Sequence, residues 1–293
     1  MTTIALLGTG LLGSGFAEAA AGRGDIVTVW NRSAAKARAL ESFGVKVAAT
    51  PADAVRGARR VHLVLTDDAA VNDVIAALRP ALAAEAIICD HTTAQPALTA
   101  ERANRLAAEG VHYLHCPVFM GPAAARRAEG VMMVSGPRAL FERVRADLAT
   151  MTGHLEYFGE LPYVAAVYKL QGNGLIIGLS ALLADTLTIA RAAGVDPAES
   201  LRLFDFFDPA SGLAARGRNM LNVDAAPTFE LAMARKDLRL MIETAGALPL
   251  SALPGIAARM DELIREGRGA DGVAVLARQA ASPASPASPA SPA

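Results

Sequence analysis

The chain has 293 residues, of which 53% are hydrophobic and 19% are charged, and its formal net charge is −1 at pH 7. This length accommodates two domains with buried cores. A near-neutral charge without a basic stripe argues against a nucleic-acid partner. Two cysteines are too few for a disulfide framework, which favours a reducing cytoplasm. Because the amino terminus lacks the basic region of a signal peptide and no apolar run of membrane-spanning length is free of glycine and charge, we expect no membrane segment.

The first thirty residues carry the most informative pattern. An apolar run at 4–7 leads into a glycine-rich turn, an alanine-rich helical segment and a second apolar run at 26–30. In this order of strand, turn, helix and strand, Gly8 permits a tight turn, Gly10 lets the backbone approach a pyrophosphate, and Gly13 lets helix and strand pack closely. An ordinary strand-to-helix turn is the alternative. We predict a dinucleotide site formed by Gly8, Thr9, Gly10, Leu11, Leu12 and Gly13.

The end of the second apolar run indicates which dinucleotide is bound. An acidic residue there would accept hydrogen bonds from a ribose 2′-hydroxyl and repel a 2′-phosphate. This chain has Asn31, Arg32 and Ser33 instead, followed by Lys36. Because a guanidinium suits a phosphate and Ser and Asn can donate to it, the segment favours NADP over NAD. The alternative is that Arg32 and Lys36 are ordinary solvated charges.

Short strand-like runs continue to alternate with helical segments up to residue 162. The strands are predicted at 46–48, 61–65, 86–89, 111–116, 131–135 and 155–158, and the helices between them at 33–42, 69–78, 96–108 and 137–151. This alternation predicts βα units and a mainly parallel sheet covered on both faces. The fold class is therefore α/β: a doubly wound parallel Rossmann sheet over residues 1–162.

Beyond residue 162 the pattern becomes helical throughout. A long helix is predicted at 164–193, and Gly194 is expected to end it. We predict an all-α domain over residues 163–280 for substrate binding and dimerisation, since the long helix is apolar on more than one face. Residues 281–293 repeat Ser-Pro-Ala and are expected to be a disordered tail.

Two polar residues in the long helix suggest chemistry. Lys169 and Asn173 are four residues apart on one helix face in an otherwise apolar segment. An ammonium near a nicotinamide could donate a proton to an oxygen that gains charge as hydride arrives, and Asn173 could orient it. A lysine that extends along the surface of an apolar helix is the alternative.

Residues 1 to about 280 resemble the β-hydroxyacid dehydrogenase family, which includes 3-hydroxyisobutyrate dehydrogenases and glyoxylate or succinic semialdehyde reductases. The likeness lies in the glycine turn, in the segment 92–96, in Lys169 and Asn173 at the spacing K-x-x-x-N, and in the K-D-L segment at 236–238. The resemblance implies that Lys169 is the general acid/base, that Asn173 assists it and that Lys236 lies near the nicotinamide. We also assign three further residues to the cofactor site: Leu65, Thr66 and Thr93.

The predicted substrate loop departs from the family pattern D-A-P-V-S-G-G. It consists of Pro117, Val118, Phe119, Met120 and Gly121. Phe119 replaces the family's serine, and the proline that follows Gly121 has no N–H to donate. An apolar pair cannot compensate a buried carboxylate, so the substrate either lacks one or binds it elsewhere, for example through Lys236.

The resemblance leaves three functions open. The first is an NADP-dependent oxidoreductase that transfers hydride between the nicotinamide and a small carbonyl or hydroxy compound. The second is an imine reductase, a relative with the same fold and a similarly apolar loop. The third is a catalytically silent NADPH-binding sensor. The lysine at position 169 favours carbonyl chemistry over imine reduction, because imine reductases usually carry Asp or Tyr at this position. We expect a cytoplasmic homodimer.

The histidines and cysteines give weaker signals. His112 and His115 could be read as a metal pair, but no further ligand cluster joins them, so structural or substrate-lining roles are favoured and no metal is predicted. His91 is expected to cap a strand end. Cys116 is expected to be a small buried residue, with a nucleophile as the alternative.

Overall fold

The computed structural model describes residues 2–222 and 227–281. The predicted Ser-Pro-Ala tail lies, from Ser282 onward, outside the described residues. By compactness the chain divides into two units, Met1–Asn173 and Gly174–Ala293. The division falls inside a continuous helix, and the predicted domain boundary at residue 162 stays a prediction.

The amino-terminal unit alternates strands and helices, as expected for an α/β protein. Its elements are β1 (Thr3–Leu7), α1 (Leu11–Gly22), β2 (Ile26–Trp30), α2 (Ala34–Arg38), β3 (Lys46–Val47), α3 (Pro51–Val55), β4 (Arg60–Leu63), α4 (Asp68–Leu78), β5 (Ile87–Asp90), α5 (Pro96–Ala108), β6 (His112–His115), β7 (Val118–Phe119), α6 (Pro122–Arg126), β8 (Val131–Val134), α7 (Arg138–Ala149) and β9 (His154–Tyr157).

Six of these strands form a parallel sheet in the order β3-β2-β1-β4-β5-β6. Both faces of β1 are buried: Ile4 and Leu6 belong to one apolar cluster, and Ala5 and Leu7 to another. This alternation explains why the strand reads as a continuous apolar run. The strand order reverses between β1 and β4, which is where doubly wound sheets open a crevice at the carboxyl ends of their strands. The predicted Rossmann sheet is confirmed.

A second, smaller sheet was not predicted. Strands β7, β8 and β9 form it, and β8 is antiparallel to β7 and parallel to β9. The sequence indicated β8 and β9 as strands but not their separation from the large sheet, since periodicity does not report partners. Strand β7 is only two residues long and shows no period. Two backbone bonds between His115 and Ser135, of 3.1 and 3.0 Å, link the two sheets.

The carboxyl-terminal region is helical, as predicted. Helix α8 (Val164–Ala192) contains the boundary between the units and ends one residue before the predicted 193. It is followed by α9 (Pro197–Ser200), α10 (Leu213–Leu221), α11 (Leu231–Ala245), α12 (Leu253–Arg265) and α13 (Arg278–Ala281). Leu231, Ala234, Met260 and Leu263 form the main buried cluster of the second unit. Within the described residues, α8 alone is long and apolar enough to cross a membrane, by length and composition only, a test that helices of soluble proteins also pass.

Candidate nucleotide and catalytic site

The glycine turn has the geometry of a dinucleotide-binding turn. Gly8 has a φ of +103°, and a Cβ there would overlap the carbonyl oxygen of Val64. A Cβ on Gly13 would overlap the carbonyl oxygen of Gly8, so only glycine permits this close packing. Around Gly10, by contrast, no atom lies within 4 Å of the position that a Cβ would take, and Leu11 is 81% exposed. The turn therefore has an open approach at the middle glycine and tight packing at the outer two.

Helix α1 presents free donors at this opening. Its first backbone bond runs from the Ser14 N–H to the Gly10 carbonyl at 2.9 Å, so the N–H groups of the three preceding residues have no helical acceptor. The Thr9 N–H is already committed, because it donates to Asn31 Oδ1 at 3.1 Å. Donors at a helix N-terminus suit a pyrophosphate, so the residues present fit a dinucleotide.

The polar side chains that follow β2 have two different environments. Asn31 accepts from the Thr9 N–H, and its amide donates to the Ser33 carbonyl at 3.0 Å, so its side chain braces the loop. Arg32, Ser33 and Lys36 are exposed. The three exposed side chains remain the predicted ligands of a 2′-phosphate.

The loops after β4 and β5 are tied together by Thr92, the first residue of the segment 92–96, which was not among the predicted cofactor residues. Thr92 is 2% exposed, and its Oγ1 accepts from the Leu65 N–H at 3.1 Å. The Thr92 N–H in turn donates to Asp90 Oδ1 at 3.0 Å, and the Tyr113 hydroxyl donates to Asp90 Oδ2 at 2.8 Å. The sequence feature that could have indicated this brace is Asp90, a polar residue at the end of an apolar strand.

Two predicted cofactor residues, Thr66 and Thr93, directly follow Leu65 and Thr92 in sequence and are exposed. Thr66 donates through its hydroxyl to Asp67 Oδ2 at 3.1 Å, and Thr93 is exposed. Both follow the carboxyl ends of neighbouring parallel strands, β4 and β5. Their contact with the cofactor stays a prediction.

Three histidines, His62, His91 and His115, are buried. His91, which was expected to cap a strand end, follows β5 and is buried, with Nδ1 2.8 Å from the Cys116 carbonyl oxygen and Nε2 3.0 Å from His62 Nδ1. Burial lowers the pKa of His91 to about 4 and that of His115 to about 3, so both rings are neutral at pH 7. Cys116 is fully buried, and burial raises its pKa well above the usual range. No group of three or more metal-ligating side chains occurs in the described part of the chain.

Lys169 and Asn173 are brought together on α8. The Lys169 ammonium donates to Asn173 Oδ1 at 3.0 Å. It also lies 4.3 Å from the centroid of the Phe119 ring, in cation–π geometry. Burial lowers the pKa of Lys169 from its ordinary value. A lysine held in this way is not a freely extended surface side chain, and its part in proton transfer stays a prediction.

Ser135 anchors the start of α8 to the two sheets. Its hydroxyl donates to the Pro162 carbonyl at 2.8 Å and accepts from the Ala165 N–H at 3.2 Å. Its backbone pairs with His115, at the carboxyl end of β6. The helix segment that carries Lys169 is therefore fastened to the sheet edge where doubly wound folds bind their ligands. A serine at the end of an apolar strand was the available sequence signal.

The predicted substrate loop contains buried and accessible residues. Pro117 and Val118 are buried and build strand pairing, whereas Phe119 and Met120 are partly exposed and Gly121 is exposed. Helix α6, which follows the loop, packs on α1 where Gly15 leaves room: a Cβ at that glycine would lie 2.9 Å from the Pro122 carbonyl oxygen. The loop is thereby connected to the helix of the glycine turn.

Lys236 lies in the carboxyl-terminal unit on α11. It forms an ion pair with Asp237 at 2.9 Å, and its side chain is 46% exposed. Its predicted place near the nicotinamide stays a prediction.

Comparison with known proteins identifies the family. The family described as the NAD binding domain of 6-phosphogluconate dehydrogenase matches residues 3–159, more than half of the chain. An uncharacterized oxidoreductase of Shewanella frigidimarina is 27% identical over 86% of this chain and 90% of its own length. The human cytokine-like nuclear factor N-PAC is 28% identical over 84% of this chain, which spans only 45% of that protein.

Solved structures agree with this assignment over nearly the whole chain. A reductive aminase from Aspergillus terreus in complex with NADPH and ethyl levulinate superposes with a TM-score of 0.85 at 26% identity, covering 95% of this chain and 99% of that one. An imine reductase from the same organism has a TM-score of 0.81 at 27% identity, covering 94% and 98%. The chain belongs to the family with the 6-phosphogluconate dehydrogenase type of NAD binding domain, and the predicted resemblance to β-hydroxyacid dehydrogenases is confirmed. It is an NAD(P)-dependent oxidoreductase.

Proposed function

We propose that the protein is an NADPH-dependent reductase of small carbonyl compounds that lack a carboxylate, with Lys169 as the proton donor. The observation that carries this proposal is the partly buried contact of the Lys169 ammonium with Asn173 Oδ1 and the Phe119 ring. Ammonium groups that are oriented and partly desolvated are suited to proton transfer, because their pKa moves toward the working pH.

The cofactor proposal is NADPH in preference to NADH. Arg32, Ser33 and Lys36 are exposed at the end of β2, where an acidic residue would select the unphosphorylated ribose. The reductive aminase and one imine reductase with this fold are described in complex with NADPH or NADP+, although another imine reductase is described with NAD+.

The chemistry divides between cofactor and protein. Bound NADPH supplies a hydride to the carbonyl carbon. Lys169 places a proton donor at the carbonyl oxygen and stabilises its developing negative charge, while Asn173 holds the ammonium in place. In the reverse direction the neutral amine accepts the alcohol proton.

The apolar loop indicates the substrate class. Phe119 and Met120 offer no donor or charge for a carboxylate, and an uncompensated carboxylate in such surroundings is costly. The reductive aminase is described with ethyl levulinate, whose ketone and ester carry no charge. A neutral aldehyde or ketone therefore fits this loop better than a hydroxyacid.

The test of the proposal is the replacement of Lys169 by alanine. We expect kcat for NADPH-dependent aldehyde reduction to fall by roughly 100-fold or more, the usual contribution of a positioned acid or base. The dissociation constant for NADPH, measured by fluorescence titration, should stay within about twofold. Lys46→Ala, at an exposed lysine of β3, is the matched control and should keep its activity. A Lys169→Ala protein with undiminished turnover contradicts the proposed role.

Imine reduction is the second candidate, because the apolar loop and the solved structures with this fold both favour it. A panel that contains neutral aldehydes, ketones, succinic semialdehyde, glyoxylate and a cyclic imine separates the two by loss of NADPH absorbance. We expect neutral carbonyls to be reduced fastest. Faster reduction of the imine favours the second candidate, and NADPH binding without any turnover favours a sensor.

A further inference from the structure

The backbone of Phe119 is rigidly placed. Phe119 pairs with Val131 in the antiparallel ladder of β7 and β8. Gly130, with a φ of +87°, packs beneath this strand: a Cβ there would lie 2.7 Å from the Phe119 carbonyl oxygen and 2.7 Å from Met120 Cβ. The loop therefore presents the Phe119 ring from a backbone that has little freedom to move.

The ring is seated on bare helix backbone at Gly172. A Cβ on this glycine would overlap Phe119 Cζ and would lie 2.7 Å from Cε1. No other residue type leaves room for the ring in this position. Gly172 is one turn after Lys169 on α8, so the seat brings the ring face to the ammonium, 4.3 Å from the centroid.

A ring face holds an ammonium differently from a carboxylate. The attraction arises from the quadrupole of the ring and leaves the positive charge unneutralised. Lys169 has three N–H donors, of which one bonds to Asn173. Among residues 2–173, no carboxylate and no second cation contributes to the pKa of Lys169, which burial alone lowers. The ammonium is therefore oriented by two neutral side chains, and its charge stays available to a substrate oxygen.

We propose that Phe119, seated on Gly172, is a positioning residue that holds the Lys169 ammonium in the geometry and protonation state needed for proton donation. This inference rests on the proposed function of Lys169. It accounts for two features of this chain at once: an aromatic residue in the substrate loop, and a glycine inside the segment Lys169–Asn173. The ring acts through the lysine and takes no part in bond making.

The first experiment measures the protonation of Lys169 directly. The chain has only four lysines, at positions 36, 46, 169 and 236, so NMR of ¹³C-labelled lysine in the NADP+ complex resolves them, and Lys169→Arg assigns the signal. Phe119→Leu removes the ring face but keeps an apolar side chain. We expect the pKa of Lys169 to fall by roughly half a unit to one unit, as loss of a cation–π contact implies. An unchanged or raised pKa overturns the inference.

The control for this measurement is a second ring outside α8 that also packs against this helix. Phe158 lies 4.3 Å, between ring centroids, from Tyr168, the neighbour of Lys169 in sequence. Phe158→Leu should leave the pKa of Lys169 unchanged. An equal shift in both variants means that general loosening of α8 is responsible and overturns the specific role of Phe119.

The second experiment tests the glycine seat. Gly172→Ala should displace the ring and lower kcat for reduction by roughly tenfold. It should also shift the high-pH limb of the kcat/KM profile to lower pH. In a Phe119→Leu background the same substitution should cost little more, because the clashing atom Cζ is gone. Gly174→Ala is the matched control, since no atom lies within 4 Å of a Cβ at that position. Additive losses in the double variant would mean that Gly172 does not act through the Phe119 ring, and would overturn this part of the inference.

The two experiments separate this inference from the proposed function. If wild-type protein reduces no carbonyl while Phe119→Leu still lowers the pKa of Lys169, the proposed function fails and the positioning contact stands. If wild-type protein reduces carbonyls through Lys169 but the pKa is insensitive to Phe119, the inference fails alone.

Discussion

Arg32 and Asn31 are adjacent in sequence but have different tasks in the structure. Asn31 links the Thr9 N–H to the Ser33 carbonyl, so it braces the loop after β2. Arg32 and Lys36 are both exposed, and Arg32 forms no hydrogen bond that braces the described loop. An exposed guanidinium at the end of β2 can form a bidentate contact with a phosphate, whereas it gains little from a free 2′-hydroxyl.

Replacing Arg32 by alanine tests this division. We expect NADPH to bind about 10- to 100-fold more weakly, because a charge-assisted hydrogen bond is worth about 1.5–3 kcal/mol, while NADH binding changes little. Fluorescence titration with both cofactors gives the two dissociation constants. Arg105→Ala, near the carboxyl end of α5, serves as a control for loss of surface charge. An equal loss for both cofactors would contradict the phosphate assignment.

Helix α12 begins without a capping side chain of its own, and α8 supplies one. Asp185 is 1% exposed and accepts from the backbone N–H groups of Ser251, Ala252 and Leu253 at 2.6, 2.9 and 2.9 Å. Ala252, at the N-cap position, has no side-chain acceptor to offer. A carboxylate from another helix therefore satisfies the donors that a helix N-terminus leaves open.

We expect Asp185→Ala to cost about 2 kcal/mol of stability in the carboxyl-terminal unit, since buried backbone donors lose their acceptor. Hydrogen exchange at the amides of residues 251–253, together with urea unfolding, measures the loss. Glu262→Ala removes an exposed acidic residue of α12 that pairs with Arg259 and should change stability by less than about 1 kcal/mol. Unchanged protection at 251–253 would refute the cap.

The same contact predicts a dependence on pH. Burial by itself would raise the pKa of Asp185, but three backbone donors outweigh it and hold the pKa below the ordinary 3.8. A depressed carboxyl pKa stabilises the folded state above the unfolded pKa, and this contribution is lost as pH falls through the folded value. The stability difference between wild type and Asp185→Asn should therefore be full at pH 6 and shrink below pH 4. If the stability difference between wild type and Asp185→Asn grew as the pH fell, the pKa of Asp185 would have to be raised, which would contradict its role as a charged cap.

Helix α8 has an exposed apolar surface. Only 6% of its most apolar 18-residue window is buried, and Leu175, Ile176 and Ile177 are 59%, 58% and 68% exposed. Burying such a side chain is worth about 1.5–3 kcal/mol. Contiguous exposure of this kind usually marks an interface, so we propose that a second copy of the chain covers the helix.

Ile177→Glu tests the proposed dimer. We expect the wild-type protein to scatter light with twice the chain mass and the variant to dissociate, because an interface buries charge only at high cost. Phe43→Glu, at a residue 50% exposed in the amino-terminal unit, should stay dimeric. A wild-type protein that is monomeric at all concentrations would remove the proposal.

Much of the fold follows from local patterns. The glycines at 8, 10 and 13, the apolar runs and the change to helical periodicity after residue 162 predict a Rossmann sheet followed by helices, because each pattern acts through near neighbours. The pair Lys169 and Asn173 is similarly local: four residues along a helix are adjacent in space, and their side chains meet at 3.0 Å.

Contacts between distant segments required the tertiary structure. Three contacts join distant segments: the Phe119 ring on Gly172, the bridge of Ser135 to the start of α8, and the cap of α12 by Asp185. The hydrogen bonds among them join residues that are 27 to 68 positions apart. No periodicity encodes such pairings, since they depend on how sheets and helices come together. The sequence determined which residues could carry the chemistry, and the packing of β7 against α8 decided which ring lies against the lysine.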